Sequence, residues 1–542
     1  MKRIVCCLVV LLASCLLPSL LGCQGVVSPP APTTVPTAIP IPSPYVTPVT
    51  SAVQEATPRP TLMPSRIPDE SPSPSVAVQP TWTPSALPTS TPEVPPALPG
   101  DQVFVRETTI SLPAYVYEPH LRQALDEQHG VSYFWLDRAA YGEPAPETTV
   151  LRPFAAILLE NRYLRLTILP ELGGRLYECV FKPSGQNIFY RNHVVKPTRW
   201  GPLTREENWW LAAGGMEWAF PVNEHGYEWG VPWSYSVESS SKGATVTVRD
   251  TTDARPRVSV EIALAPDTAY FTIRPTIENP TGATVSYQYW TNAMLTLGSS
   301  SVSPNTEFVY PGDEVVIHSA GPQSGLPGEK AIVSWPVWQG RDMSRYYNWH
   351  GWLGFFLPEP GEDFVGAYNH DTGLGVARVY SREAVPGVKL FAWGSESTYV
   401  SEYTDDGSQY FEMWGGPNRT FWPEDDVSLE PGGSRSWVEY WYPFQAIGGL
   451  DYANRELALS LDVGDGLLWL GLAATSHQSG TVLLTVGDED LSRRETTVSP
   501  ESPQFDGVPL PPGLAPDSPV SFTFFGPEGE VLLSYETVLG AP

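Results

Sequence analysis

Cysteine is scarce in this 542-residue sequence, which contains only five. Four of them, Cys6, Cys7, Cys15 and Cys23, lie at the start of the chain, so Cys179 is alone in the rest. A single cysteine can neither form an intramolecular disulfide nor supply a cysteine-based metal site. Both are therefore excluded for the body of the chain.

Positive charge is also scarce, because 32 Lys and Arg stand against 60 Asp and Glu and give a formal net charge of −28. This balance argues against binding nucleic acid or an anionic membrane face directly. The eight histidines show none of the short, regular spacings of a metal site. We therefore predict no nucleic-acid partner, no zinc site and no cofactor. A calcium site stays open at the acidic turns Asp405–Gly407 and Glu424–Asp426, although neither matches an EF-hand loop.

The first 23 residues have the pattern of a cleaved signal peptide. Lys2 and Arg3 precede an apolar stretch broken by Pro18, and the stretch closes with Leu-Leu-Gly before Cys23. This ending resembles the lipobox of bacterial lipoproteins, which implies acylation of Cys23 after cleavage. We expect a lipid anchor at Cys23 that holds the protein on the extracytoplasmic face of the cell membrane. The alternative is an ordinary secretory signal.

Residues 24–100 are dominated by Pro, Thr, Ser, Ala and Val and cannot bury a core. Repeated prolines favour extended polyproline II, so this segment is predicted to be a disordered, semi-rigid tether.

Two-residue alternation of apolar and polar residues recurs throughout the remaining chain, as in Tyr163–Leu169 and Val258–Leu264. Helical periodicity is limited to a short candidate at Glu118–Glu127. The pattern predicts an all-β protein with two large packed antiparallel sheets over residues 101–446. Tryptophan becomes rare after residue 446, and short strands there predict a separate small β-sandwich over residues 447–542.

Aromatic residues are abundant, with 19 Trp, 25 Tyr and 19 Phe. Part of this set belongs to the core, but exposed aromatic faces also stack on the apolar faces of sugar rings. Carbohydrate contact is one prediction from this composition.

Two stretches, Glu160–Arg175 and Gly214–Pro221, resemble an uncharacterised domain family with the galactose mutarotase-like supersandwich fold. The resemblance covers most of residues 101–446. It implies a supersandwich there, followed by the small C-terminal β-sandwich.

The end of this region is similar to aldose 1-epimerases, in Tyr410–Trp414 and then Val438–Tyr440. The similarity places Glu412 where the epimerases have their catalytic base. The two epimerase histidines are missing, because Ala213 and Gln288 stand at their positions. Neither side chain is a useful proton donor, so mutarotation by the usual pair is not expected.

A second carboxylate, Glu217, lies in a segment rich in tryptophan. Glu217 and Glu412 facing one sugar could act as acid and base, or acid and nucleophile, in glycosidic cleavage. Alternatively, they only bind sugar hydroxyls or brace Arg175 and backbone amides. His225 could supply the missing acid, or could be a packing histidine. The catalytic candidates are therefore Glu412, Glu217 and His225, and the candidates for substrate binding are Arg175, Asn208, Trp209, Trp210, Trp233, Gln288, Asn292 and Trp414.

Three functions remain open from the sequence. The first is a membrane-anchored enzyme of the glycosidase or epimerase type that uses paired carboxylates. The second is a non-catalytic surface protein that binds glycans, and the third is a structural envelope protein. The expected partners are carbohydrate and, through the N-terminal lipid, the membrane. Fold resemblance alone does not decide between these functions.

Overall fold

The computed structural model describes residues 102–126, 131–199, 209–222, 224–227, 230–250, 256–395, 397, 400–487 and 489–540, without the side chain of residue 131. The predicted signal peptide, Cys23, the tether and Asn208 lie outside these residues. Within them, no helix has both the length and the apolar character needed to cross a membrane.

Alternating sequences form strands because successive side chains point to opposite faces of a sheet. In the strand Gly243–Arg249, for example, Ala244, Val246 and Val248 are buried while the residues between them are less so. Neighbouring strands are antiparallel almost throughout, with a parallel contact between Phe104–Ala114 and Arg191–Thr198.

The larger sheet has 14 strands. In spatial order they are Ile332–Ser334, Glu314–Ala320, Leu353–Phe356, Gly387–Ala392, Phe411–Gly416, Trp290–Leu295, Met216–Ala219, Arg175–Phe181, Leu164–Leu169, Val150–Glu160, Phe104–Ala114, Arg191–Thr198 and Trp210–Gly214, with Gln186–Asn187 beside Arg175–Phe181.

The second sheet has nine strands. Their spatial order is Ser234–Ser240, Gly243–Arg249, Arg257–Leu264, Phe271–Glu278, Glu439–Gln445, Leu374–Val379, Phe364–Asn369 and Thr306–Val309, with Ser434–Ser436 beside Phe271–Glu278.

The main hydrophobic core lies between these two sheets. Ile157 and Leu166 of the larger sheet belong to the same buried cluster as Val246 and Ile262 of the second sheet. Burial of this apolar surface is the main force that holds the sandwich together.

The remaining elements of this region are short. The strand pairs are Leu121–Asp126 with Val131–Leu136, Val285–Tyr287 with Val427–Leu429, and Val337–Trp338 with Arg341–Asp342. The α-helices are Arg138–Tyr141 and Ser401–Thr404, and the 3-10 helices are Glu118–His120, Pro146–Thr148, Pro170–Leu172, Pro322–Ser324, Tyr346–Asn348 and Pro423–Asp425.

The helix expected at Glu118–Glu127 is wrong. A 3-10 turn at Glu118–His120 leads directly into the strand Leu121–Asp126. This strand pairs residue by residue with Val131–Leu136, for example Arg122 with Trp135. Cross-strand pairing in a hairpin therefore outweighs the weak helical periodicity of the segment.

The C-terminal strands form two four-stranded sheets. One contains Tyr452–Ala453, Leu457–Gly464, Leu467–Ala474 and Gln504–Pro509, and the other contains Glu489–Val498, Gln478–Val486, Pro519–Phe525 and Val531–Val538. Leu459, Leu470, Leu484 and Phe522 join the two sheets in one buried cluster. The prediction of an all-β protein, with a large supersandwich followed by a small β-sandwich, is confirmed.

Candidate active site

A cavity of about 590 Å³ opens on the face of the larger sheet that is turned away from the main core. Its lining is largely aromatic and contains four tryptophans: Trp210, Trp352, Trp393 and Trp414. A volume of this size is in the range of small-molecule sites, roughly 300–1,000 Å³.

Strand register explains why the polar candidates share this face. Glu217 lies directly opposite Asn292, Asn292 opposite Trp414, and Trp414 opposite Lys389. Residues directly opposite each other in antiparallel strands point to the same face. Glu412 joins them because it lies two residues from Trp414 on the same strand.

The Glu217 carboxylate is held by four hydrogen-bond donors. Oε2 accepts from Arg175 Nη2 at 2.7 Å and Trp210 Nε1 at 3.2 Å, while Oε1 pairs with His225 Nδ1 at 2.6 Å and accepts from Asn292 Nδ2 at 3.2 Å. Although burial raises it, the charges of Arg175 and His225 hold the pKa of Glu217 below its ordinary value. Glu217 is not among the residues that line the cavity, so it lies behind the lining as an ionised anchor.

His225 lines the cavity, and its orientation is fixed on three sides. Its ring stacks on Trp210 with centroids 4.3 Å apart and meets Trp414 edge-on at 5.1 Å. Because Nδ1 bonds to Glu217, Nε2 is the nitrogen that can serve a ligand in the cavity.

Glu412 also lines the cavity and is 4% exposed. Burial raises the pKa of this carboxyl above its ordinary value, and the nearby charges of His225 and Lys389 oppose the rise. Its Oε2 accepts a hydrogen bond from Trp414 Nε1 at 2.9 Å. The surroundings thus favour a carboxyl that carries its proton to higher pH than Glu217 does.

Lys389 and His318 also line the cavity and were not among the sequence candidates. Burial lowers the pKa of Lys389 to about 8, against the attraction of Glu412 and Glu224. Burial and the charge of Lys389 lower the pKa of His318 to about 3, and its Nε2 lies 3.6 Å from Glu224 Oε1. The sequence feature that could have identified Lys389 is a charged residue in the middle of an otherwise apolar strand.

The sequence candidates divide into three groups by position. Trp210, His225, Glu412 and Trp414 line the cavity. Immediately behind this lining, Arg175 and Asn292 contact Glu217 as described above.

The third group lies away from the lining. The Trp209 indole donates to a backbone carbonyl at 2.8 Å, and Trp233 belongs to the main core. Gln288 donates to Asp426 at 2.7 Å and so has a local structural contact. Asn208 falls outside the described residues.

The described part of the chain contains no group of three His, Cys, Asp or Glu side chains that could hold a metal ion. Cys179 is a free, buried thiol in the larger sheet, and burial raises its pKa.

Solved structures with similar folds come from several bacteria. A TPR-domain containing protein from Parabacteroides distasonis ATCC 8503 is 25% identical with a TM-score of 0.53, and the match covers 63% of this chain and 55% of that chain. This chain therefore spans about half the length of that protein. The Slr1438 protein from Synechocystis sp. PCC 6803 is 14% identical with a TM-score of 0.40, covering 54% of this chain and 96% of that chain. A galactose mutarotase-like protein from Clostridium acetobutylicum is 13% identical with a TM-score of 0.36, covering 54% of this chain and 96% of that chain.

Two family models match the chain in sequence. Residues 452–535, in the small sandwich, match the second domain of YphG-like protein. Residues 140–444, more than half of the chain and including every described residue of the cavity, match the model of a domain of unknown function. The chain therefore belongs to the family described as Domain of unknown function (DUF5107).

Proposed function

We propose that this protein is a lipid-anchored, extracytoplasmic enzyme that performs acid–base chemistry at the anomeric carbon of a sugar. The observation that carries the proposal is that Glu412 and His225 line one cavity with aromatic walls. Aromatic faces suit the apolar faces of sugar rings, and the two titratable groups suit proton transfer to and from sugar oxygens.

Anomer exchange fits this arrangement better than glycosidic cleavage by Glu217 and Glu412. Cleavage by two carboxylates requires both to face the sugar, whereas Glu217 lies behind the lining with four donors. Of the other acids on the lining, Glu224 lies beside His318, and Glu329 and Glu402 are exposed. The proposed pair is therefore one carboxyl and one histidine.

In the proposed mechanism, Glu412 and His225 share one mobile proton. His225 Nε2 takes the proton of the anomeric hydroxyl while the protonated Glu412 gives its proton to the ring oxygen, and the ring opens. After rotation about the bond next to the aldehyde, the two groups exchange roles and the ring closes as the other anomer. The ionised Glu217 stabilises the imidazolium that forms between these steps.

Exchange spectroscopy by NMR on the full-length protein tests this proposal with a panel of reducing sugars. Glu412→Gln and His225→Gln are each expected to lower the enzymatic exchange rate by roughly 10²–10⁴-fold, because each removes a positioned proton-transfer group. Glu402→Gln is the matched control, since Glu402 lines the same cavity but is exposed. Wild-type exchange in both catalytic variants would refute the assignment.

Glycan binding without turnover is the second candidate function. It is favoured by the aromatic lining together with Ala213 and Gln288, which stand at the epimerase histidine positions. Saturable sugar binding with neither exchange nor cleavage, weakened by Trp352→Ala, would support it. A purely structural role predicts a cavity filled by the protein's own side chains, and the volume of about 590 Å³ is the observation against it.

A further inference from the structure

Lys389 is a buried amine inside the cavity. It lies in the strand Gly387–Ala392, directly opposite Trp414, and is 3% exposed. Its Nζ is 4.4 Å from the ring centroid of Trp414, 4.9 Å from that of Phe421 and 5.4 Å from that of Phe391. The side chain thus ends among aromatic faces.

Lys330 provides a contrast within the same chain. Its Nζ lies 4.7 Å from the ring centroid of Trp422, but it is exposed and forms an ion pair of 2.7 Å with Glu424. Among the described residues, Lys389 has no such ion pair and no hydrogen bond; Glu412 and Glu224 act on it through their charge alone. Lys389 is therefore buried, and its Nζ has neither a hydrogen bond nor an ion pair within the described part of the chain.

Burial leaves part of the Lys389 amine unprotonated near neutral pH, although the charged groups around it oppose this. Burial lowers its pKa to about 8, while Glu412 and Glu224 favour the ammonium form. Of the other titratable groups on the cavity lining, His318 stays uncharged because its pKa is lowered to about 3. A lysine desolvated in this way is the usual form of a lysine nucleophile.

We propose that Lys389 captures the aldehyde of an open-chain sugar as a reversible Schiff base. This inference rests on the proposed function, because ring opening in anomer exchange generates an aldehyde in this cavity. The proposal names the substrate class as open-chain aldoses, or short hydroxyaldehydes that carry the same free aldehyde.

The proposed step balances without an oxidant or a reductant. The Nζ lone pair attacks the carbonyl carbon, and a proton passes from nitrogen to the new oxygen to give a carbinolamine. Glu412 then protonates the hydroxyl, which leaves as water while the nitrogen lone pair forms the C=N bond. The iminium returns a proton to Glu412, so that amine and aldehyde have become imine and water. Hydrolysis reverses each step.

Reductive trapping tests the inference on the full-length protein. The probe is glycolaldehyde with sodium cyanoborohydride, followed by mass spectrometry of the lysine-containing peptides. The sequence has six lysines, and the five beyond the proposed cleavage site can each be followed separately: Lys182, Lys196, Lys242, Lys330 and Lys389. We expect Lys389 to be labelled roughly tenfold or more faster than Lys330 and Lys242.

The comparison within one molecule does not depend on how any variant folds. Lys389→Arg is expected to lose this adduct and to leave labelling of Lys330 and Lys242 unchanged. Labelling of Lys389 no faster than that of Lys330, or labelling only after denaturation, would overturn the inference. Glycolaldehyde has no ring to open, so this result is independent of the exchange assay with Glu412→Gln and His225→Gln.

Discussion

Glu217 and Glu412 lie on strands separated by one other strand and point to the same face of the larger sheet. Their surroundings act on the two carboxyls in opposite directions. Glu217 has a guanidinium, an imidazole, an indole and an amide as partners, which favours the ionised form. Glu412 is buried and accepts one hydrogen bond from an indole. The cations near it form no bond with it, and burial raises its pKa. This difference fits an ionised anchor at Glu217 and a proton donor at Glu412.

We expect Glu217→Gln to destabilise the protein by about 3 kcal/mol, because it leaves Arg175 charged and buried without its anion. A depressed pKa contributes stability above the ordinary value of 4.5 and loses it as the pH falls through the lower folded value. Denaturant unfolding should therefore show a deficit at neutral pH that shrinks in acid. Equal stability of the variant and the wild type at neutral pH would contradict the anchoring role.

Glu412→Gln is expected to stabilise the folded protein, in contrast to Glu217→Gln. A carboxyl with a raised folded pKa binds its proton more tightly in the folded state, so stability falls as the pH rises from the ordinary value of 4.5 through the raised value. An uncharged amide avoids this cost. The variant should unfold at a higher temperature than the wild type near neutral pH, and this gain should vanish near pH 4.5. A lower unfolding temperature at neutral pH would contradict the raised pKa of Glu412. Loss of anomer exchange in the stabilised variant would show that this carboxyl is kept for activity at the expense of stability.

Sequence reasoning could name many of these side chains but not their positions. Glu412 and His225 follow from motif comparison and residue chemistry. Which glutamate faces the cavity depends on strand register across residues that are far apart in sequence, and a single sequence does not contain that register. Lys389 was missed because a lysine within a strand usually indicates a solvent-exposed face.

At the scale of elements, the strand Phe411–Gly416 connects the core to the cavity. Phe411 and Met413 belong to the main core, and Glu412 and Trp414 line the cavity on the opposite face. The alternation in its sequence predicts a strand. The strands on either side of it are Trp290–Leu295 and Gly387–Ala392. This order depends on the packing of the whole sheet, so the local sequence pattern does not predict it.

Gly415 on this strand leaves room for a buried ion pair beneath the cavity. Arg378 Nε bonds to Glu439 Oε2 at 2.7 Å, with both side chains fully buried, and a Cβ at residue 415 would overlap the Arg378 guanidinium. We expect Gly415→Ala to cost about 3 kcal/mol, since it must displace either the strand or the ion pair. Denaturant unfolding measures this loss, and exchange activity should fall with it because Glu412 and Trp414 move with the strand.

Gly282→Ala is the matched control for Gly415→Ala, because a Cβ at residue 282 meets open space. Its unfolding free energy should stay within about 0.5 kcal/mol of the wild type. If the two variants were equally stable, the close approach of Arg378 to the strand would not constrain the site.

At the scale of the whole molecule, the small sandwich packs against the second sheet of the supersandwich. Phe364, Tyr442 and Phe444 share a buried cluster with Ile447 and Ala458. Tyr442 Oη also donates to the backbone carbonyls of residues 454 and 457 at 2.9 and 3.0 Å. This apolar contact ties the C-terminal sheets to the sheet that supports Arg378. The change in composition near residue 446 predicts a second β region, but the contact itself depends on residues of both regions.

The proposed location of the enzyme rests on Cys23, and the chain offers a control for it. In a bacterial host that processes lipoproteins, Cys23→Ser should abolish incorporation of a labelled fatty acid and move the protein from the membrane fraction to the soluble fraction. Cys179→Ser should retain both properties, because Cys179 is buried in the larger sheet and cannot be acylated there. An ordinary secretory signal predicts instead a wild-type protein without lipid and already in the soluble fraction. Since the formal net charge of −28 opposes adhesion to an anionic membrane, membrane association that persists in Cys23→Ser would require a different anchor and would contradict the proposal.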